Sequence, residues 1–218
     1  MPETPRPAPV LLLHSAGLTP QMWQSQVEAI AEGLGEVQVI APWLAGLRPG
    51  KPGELSLGGA ADEVSSTLDR YGIERARLVG HQLGAMVALQ LAVTQPERVA
   101  ALVLSGAFAA PGRLALRFQK SLIRMLPNRA LADSGATKDD LVRALDLMAT
   151  ADFGPRLRAV TADVLVVAGA ADPALPAARQ LAEQLPSARL EVLDGAGANP
   201  SLEAPDAYNA LMVKFFSA

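Results

Sequence analysis

The sequence predicts an α/β fold, a three-layer αβα sandwich in which helices cover both faces of a six-stranded, mainly parallel sheet. Two observations predict it. Short runs rich in Val, Leu and Ile recur along the chain, and segments with helical spacing of apolar residues lie between them. Repeated alternation of strand and helix is typical of a doubly wound sheet. The length of 218 residues suits a single domain spanning 1–218.

Each apolar run is nearly continuous rather than alternating. This pattern is typical of strands that are buried on both faces of a parallel sheet. The predicted strands, in chain order, are Pro9–His14, Val37–Pro42, Ala76–His81, Val99–Phe108, Ala162–Gly169 and Ala188–Gly195.

Helices are predicted between these strands. The first begins after Thr19, where Pro20 suits the first position of a helix because its missing N–H needs no partner there. The later helices are predicted at about Gly58–Tyr71, Gly84–Thr94, Ala177–Leu185 and Asp206–Phe216.

One segment, at about 111–155, interrupts the alternation. It holds two helical patterns and no strand pattern, and the second begins with a sequence that resembles a capping box, Thr137 to Asp140. We therefore expect a short helical cap, inserted over one end of the sheet.

The composition excludes several classes of chemistry. The chain has no cysteine and two histidines, so disulfides, thiolate metal sites and a cysteine nucleophile are excluded. A net charge of -3 predicts no binding to nucleic acid, and no motif implies a cofactor or a metal. No apolar run is long enough for a signal sequence or a membrane span, so we expect a cytoplasmic protein. An exposed edge strand or the cap could form a homodimer.

The most informative motif is Gly80-His-Gln-Leu-Gly84. It follows a buried strand and opens a helix, which is the context of the nucleophile elbow, G-x-S-x-G. The elbow presents its central residue at the carboxyl edge of the sheet. Here that residue is Gln82, at the position of the usual nucleophile.

Together with this motif, other segments resemble the α/β-hydrolase superfamily over nearly the whole chain. Leu11–Gly17 is similar to the end of the oxyanion strand, Val164–Pro173 to the strand that delivers the triad acid, and Gly195–Pro205 to the loop that delivers the triad histidine. Only the proline-rich residues 1–8 precede the first strand, so we expect the leading antiparallel strands of the family to be missing.

The resemblance assigns the nucleophile position to Gln82, the acid position to Asp172 and the histidine position to Ala198. It also implies an oxyanion hole and pocket around His14, Ser15, Ala16, Trp43, His81, Leu83, Ser105 and Asn199. A glutamine amide is a poor nucleophile and alanine cannot transfer a proton, so we expect no ordinary serine-hydrolase activity.

Three hypotheses follow. The first is a pseudoenzyme that serves as a small-molecule-binding or interaction module with an apolar ligand in its pocket. The alternative is a divergent enzyme of the family that uses a triad-independent mechanism on a small apolar substrate. The third, deliberate alteration of Gln82 and Ala198, is disfavoured because Ser15 and Trp43 also depart from the family pattern.

Two site residues have competing interpretations. Gln82 either is tolerated at an inactive elbow or fills the oxyanion hole, where its side-chain carbonyl would accept the N–H groups of Ala16 and Leu83. Asp172 either accepts N–H groups of its own loop or the following helix, or acts as a general base.

For the remaining candidates, a purely structural role is favoured over a functional one or is equally favoured. We expect the hydroxyl groups of Ser15, Ser105 and Ser201 to bind nearby backbone. Four large apolar side chains could instead line a cavity between the sheet and the cap or simply belong to the core: Trp43, Phe108, Met125 and Met148.

Overall fold

A computed structural model describes residues 7–48, 55–110, 120–125, 127, 131 and 136–218. The strands are β1 (Val10–Leu13), β2 (Val39–Ile40), β3 (Ala76–His81), β4 (Val99–Ser105), β5 (Asp163–Gly169) and β6 (Ala188–Leu193). They form one sheet in the order β2-β1-β3-β4-β5-β6, and each neighbouring pair is parallel. The predicted six-stranded parallel sheet is confirmed.

The helices pack on both faces of this sheet. They are α1 (Gln24–Leu34), α2 (Leu57–Arg70), α3 (Leu83–Thr94), α4 (Lys138–Thr150), α5 (Leu175–Gln184), α6 (Pro200–Glu203) and α7 (Pro205–Phe216). Short 3-10 turns occupy Pro20–Trp23, Pro96–Arg98 and Gly154–Ala159. One core lies under α1 and α7, and the other lies under α2, α3 and α5. The three-layer sandwich is therefore as predicted.

Alternate side chains along each central strand contribute to the two cores. In β1, Leu11 and Leu13 belong to the core under α3, whereas Val10 and Leu12 belong to the core under α1 and α7, and all four side chains are fully buried. The edge strands differ, because β2 is half-buried and β6 alternates between exposed and partly buried positions. The expectation that every strand is buried on both faces is wrong at the edges, where each strand has only one neighbour.

The insertion at 111–155 is described only in part, since residues 111–119, 126, 128–130 and 132–135 lie outside the described residues. Its described residues include a helical piece at 120–125 and the helix α4, and they contain no strand. The predicted capping box is present at Thr137 and Asp140, and an ion pair between Lys120 and Asp146 joins the two helical pieces. Leu141 of α4 packs over Gly17, at the loop that follows β1.

No helix among the described residues combines the length and the apolar character that crossing a membrane requires.

The junction between β3 and α3 is packed too closely for any side chain at Gly84. A Cβ added there would overlap the carbonyl oxygen of Leu13 and lie 2.7 Å from that of His14, both at the carboxyl end of β1. The atoms nearest to that Cβ all belong to the backbone, so no flexible side chain could move aside to accommodate it. The first turn of α3 is therefore locked against the loop that follows β1.

We expect Gly84→Ala to lower the free energy of unfolding by about 3 kcal/mol, because the added methyl group forces α3 away from β1. Urea denaturation at pH 7 measures this change. Gly58→Ala is the matched control: Gly58 lies in α2 with no atom near an added Cβ. That variant should be as stable as the parent or up to about 1 kcal/mol more stable. Equal destabilisation of both variants would contradict the packing argument.

Candidate active site

Gln82 occupies a strained turn between β3 and α3. Its φ of 45° and ψ of -110° make it the one non-glycine residue with positive φ among the residues described. Such a conformation costs about 1–3 kcal/mol, so the surroundings must hold it in place. The backbone N–H of Gln82 donates to the carbonyl of Ser105 at 2.7 Å, and its carbonyl accepts the N–H of Met86 at 3.0 Å. Hydrogen bonds on both sides of the residue thus fix the elbow.

The side chain of Gln82 is held at the site by Ser15. The Ser15 hydroxyl donates to Oε1 of Gln82 at 2.9 Å. Gly106 makes room for this arrangement, since a Cβ there would lie 2.8 Å from Cγ of Gln82. The amide Nε2 has no partner in the described part of the chain and is not buried from solvent.

The backbone N–H groups of Ala16 and Leu83 remain without a partner in the part of the chain that the structure describes. The hypothesis that the side-chain carbonyl of Gln82 accepts these two groups is therefore wrong, because neither N–H donates to that oxygen, which accepts the Ser15 hydroxyl. Ala16 directly follows Ser15 in one loop, and Leu83 directly follows Gln82 at the elbow. The two N–H groups that lack a partner among the described residues therefore belong to the neighbours of the hydrogen-bonded pair Ser15 and Gln82.

Asp172 follows β5 in a tight loop and is 9% exposed. Its Oδ1 accepts the N–H of Ala174 at 2.8 Å, which is the contact expected of a structural role in its own loop. The other carboxylate oxygen makes no hydrogen bond with the described residues. The N–H of Ala171 donates to the carbonyl of Ala196 at 2.9 Å, so this loop is fixed to the loop that follows β6.

Asn199 anchors the loop that carries Ala198. Nε2 of His81 lies 2.8 Å from Oδ1 of Asn199, and Glu203 accepts the backbone N–H groups of Gly197 and Asn199. The loop that follows β6 is thereby attached to the end of β3, directly beside the elbow. The side chain at Ala198 supplies no ionisable group.

Both histidines are buried and neutral. Desolvation lowers the pKa of His81 to about 4, and its Nδ1 has no partner among the described residues. Burial also lowers the pKa of His14, whose Nδ1–H donates to the carbonyl of Ser15 at 2.8 Å while its Nε2 accepts the N–H of Leu44 at 3.2 Å. The edge of Trp43 packs against His14, with 5.2 Å between ring centroids.

The serine hydroxyls do not behave as expected. Ser15 binds a side chain, the fully buried Ser105 donates to the Tyr208 hydroxyl at 3.3 Å, and Ser201 has no partner among the described residues. The prediction that all three bind nearby backbone is wrong. Ser105 and His81 lie side by side in neighbouring strands and face the core under α7, next to the elbow.

The hypothesis of a shared cavity between the sheet and the cap does not hold for all four apolar residues. Met125 is 81% exposed, whereas Met148 is buried. Trp43 lines a cleft on the outer side of β2, together with charged residues such as Arg48 and Glu63. Sequence analysis assigned no role at the site to Gly106, Glu203 or Tyr208, since neither a motif nor helical spacing indicates their contacts.

Comparison with known proteins places this geometry in context. A model of the alpha/beta hydrolase family matches residues 10–211. A relative from Pseudomonas savastanoi pv. phaseolicola, named "Putative carbamate hydrolase RutD", is 26% identical over 246 aligned positions, which cover 97% of this chain and 95% of the relative. A protein of the same name from Caulobacter sp. strain K31 is 28% identical over 189 positions, covering 72% of this chain and 70% of the relative.

Solved structures show the same fold. The enol-lactonase from Burkholderia xenovorans LB400 superposes with a TM-score of 0.80 at 22% identity, covering 97% of this chain and 92% of that one. A hydrolase from Pseudomonas aeruginosa PA01 gives a TM-score of 0.80 at 22% identity, with coverage of 97% and 91%.

These relatives overturn the pseudoenzyme prediction. Relatives that match almost the whole chain carry the name "Putative carbamate hydrolase RutD", and the expectation of a binding module without enzymatic activity is therefore wrong. The physical error was to equate catalysis with a nucleophile and its base. Backbone donors that stabilise an oxyanion contribute separately, and they do not depend on the side chain at Gln82.

The buried imidazole of His81 predicts acid sensitivity. Between pH 6.5 and about 4 the unfolded chain binds a proton at this residue and the folded chain does not, so stability is greatest above pH 6.5 and falls as the pH drops. The loss attributable to His81 amounts to about 3 kcal/mol at the lower end. Urea denaturation at pH 7 and pH 4.5 measures it.

The comparison variants separate the two histidines. His81→Gln should lose less stability on acidification than the parent does, whereas His14→Gln should retain the contribution of His81. An identical pH dependence of the parent and of His81→Gln would contradict the assignment.

Proposed function

This chain belongs to the alpha/beta hydrolase family, and we propose that it is a divergent enzyme of that family which acts on a small, largely apolar carbonyl substrate without a Ser–His–Asp triad. The relatives support hydrolysis of a carbamate or of a chemically similar ester. A cytoplasmic location and a homodimer stay predictions.

One observation carries the proposal: the N–H groups of Ala16 and Leu83 are unpaired at the elbow, in the described part of the chain. Donors that are fixed by the fold and aimed at a developing negative charge stabilise a tetrahedral intermediate, and each is worth about 3 kcal/mol. We assign them to the carbonyl oxygen of the substrate. The free amide Nε2 of Gln82 provides a third donor beside them.

Gln82 takes the role of a binding group in this proposal. The Ser15 hydroxyl donates to Oε1, so Nε2 is the end of the amide that remains available to a substrate. A neutral amide donates to an oxyanion without undergoing any change of protonation. The strain at Gln82 and the absence of a side chain at Gly106 are both consistent with an amide kept in one position.

Asp172 is the group that can move a proton. One of its oxygens is held by Ala174 and the other is free of the described residues, so the carboxylate is oriented and still has an acceptor available. In the proposed reaction Asp172 takes a proton from water as the water oxygen bonds to the carbonyl carbon. The bond to the leaving oxygen or nitrogen then breaks, and Asp172 returns the proton to the departing group.

The apolar side of the substrate would lie under the cap. Leu141 packs over Gly17, directly beyond Ala16, and Phe108 is partly buried against the core under α2, α3 and α5. These side chains favour a small hydrocarbon substituent over a charged one.

Replacing Asp172 tests the proton transfer. We expect the parent to hydrolyse at least one member of a panel of phenyl carbamates and phenyl esters, and Asp172→Asn to lower kcat/KM by about 100-fold or more, mainly through kcat. Asp194→Asn is the control, because it removes an exposed carboxylate from the loop that follows β6. A parent without activity on the whole panel, or an unchanged Asp172→Asn variant, would refute the proposal.

Independence from a serine nucleophile needs a separate test. We expect a fluorophosphonate probe to leave the active parent unlabelled and to label the double variant Gln82→Ser with Ala198→His, which regains both a nucleophile and a base. Intact-mass spectrometry measures the adduct. The two single variants should remain essentially unlabelled, because nucleophile and base act as a unit. Rapid stoichiometric labelling of the parent, with loss of its activity, would show that a serine mechanism operates.

A further inference from the structure

A second cleft lies at the amino edge of the sheet, opposite the elbow. Its volume is about 520 Å³, and its lining includes Arg77 near the start of β3, Arg189 near the start of β6, and the aromatic pair Phe215 and Phe216 of α7. All strands are parallel, so the amino ends of β3 to β6 gather at this edge and their carboxyl ends at the other. The cleft is therefore separate from the candidate active site.

The aromatic pair positions the two arginines. The guanidinium carbon of Arg77 lies 5.3 Å from the ring centroid of Phe216, and that of Arg189 lies 4.8 Å from the centroid of Phe215. The two rings are themselves 5.7 Å apart. Each guanidinium therefore stacks on a ring, and stacking restricts its freedom before any ligand arrives.

Neither of these two cations has a counter-ion among the described residues. Among the described residues, neither arginine forms an ion pair, and no side-chain hydrogen bond is found for either guanidinium. Nη1 of Arg77 is buried and has no hydrogen-bond partner in the described part of the chain. Burial of the guanidinium lowers the pKa of Arg77. A partly buried cation without a partner is unfavourable, and an anion in the cleft would relieve it.

The one acidic side chain in the lining does not serve as that anion. Asp163, at the start of β5, is exposed, and its Oδ1 accepts a hydrogen bond from the hydroxyl of Ser187. It pairs with neither arginine in the structure as described. Its charge would oppose an incoming anion, which provides a further test.

We propose that this cleft binds a small organic anion, whose carboxylate or phosphate group pairs with Arg77 and Arg189 and whose apolar part packs against Phe215 and Phe216. The planar guanidinium matches the geometry of both oxyanions. The cleft is much larger than an inorganic anion requires, and apolar surface from Ala100, Ala101 and Ala188 completes its wall. This proposal does not depend on the function proposed for the candidate active site at the carboxyl edge of the sheet.

Isothermal titration calorimetry tests the site with four probes: benzoate, phenyl phosphate, inorganic phosphate and benzyl alcohol. We expect saturable binding of benzoate or phenyl phosphate in the millimolar range or tighter, and weaker binding of inorganic phosphate, which lacks the apolar part. Benzyl alcohol, which lacks the charge, should not bind. Whichever of benzoate and phenyl phosphate binds more tightly shows whether the cleft prefers a carboxylate or a phosphate group.

Three variants locate the binding. Arg77→Gln and Arg189→Gln should each weaken it by about tenfold or more, and Asp163→Asn should strengthen it. Arg179→Gln is the matched control, because it removes an equal charge from an exposed position on α5. Arg189 is also exposed, so its replacement keeps the test decisive if Arg77→Gln does not fold.

The proposal fails if neither organic anion binds the parent at about 10 mM. It also fails if Arg179→Gln weakens binding as much as Arg189→Gln does, since the attraction would then be general rather than local. Equal binding of benzyl alcohol would likewise overturn it, because charge would have no role.

Discussion

The close approach of α3 to the end of β1 is the contact on which the candidate site depends. Because Gly84 has no side chain, the first turn of the helix rests against the carbonyl groups of Leu13 and His14. The loop that follows β1 is then forced to run beside the elbow. Ser15 reaches the side chain of Gln82, which places the two loops side by side. Packing of backbone against backbone thus assembles the polar groups of two distant segments.

A layer of neutral polar groups below the elbow holds the remaining loops. His81 binds Asn199, and Ser105 binds Tyr208. A charged imidazole would be costly in this dry interior, and the low pKa of His81 keeps it neutral. These two pairs are held by hydrogen bonds that need no charge, whereas the exposed carboxylate of Glu203 holds the backbone on both sides of Ala198. Such an arrangement suits donors that must be fixed before a substrate arrives.

Sequence patterns predicted the parts of the fold that local physics dictates. Continuous apolar runs located all six strands, and the glycines of Gly80-His-Gln-Leu-Gly84 located the elbow. The partners of the site residues could not be predicted in the same way, because they join positions far apart in the chain: 67 residues separate Ser15 from Gln82, and 118 separate His81 from Asn199. Side-chain packing decides such pairs, and helical or strand periodicity carries no information about them.

The difference between local sequence patterns and contacts made in the folded chain also explains why residue types alone predicted the wrong function. Removing a nucleophile and its base from a hydrolase leaves the backbone donors of the oxyanion hole where the fold put them, and in a well-studied serine protease such donors and substrate binding alone retain about 10³–10⁴-fold of rate enhancement over water. In this chain the donors at Ala16 and Leu83 are unpaired in the described structure, and a carboxylate at Asp172 keeps one free oxygen. An amide at Gln82 adds a donor where a hydroxyl would have added a nucleophile. In the proposed function, the substitution exchanges covalent catalysis for binding of charge, and Asp172 carries the proton transfer that remains.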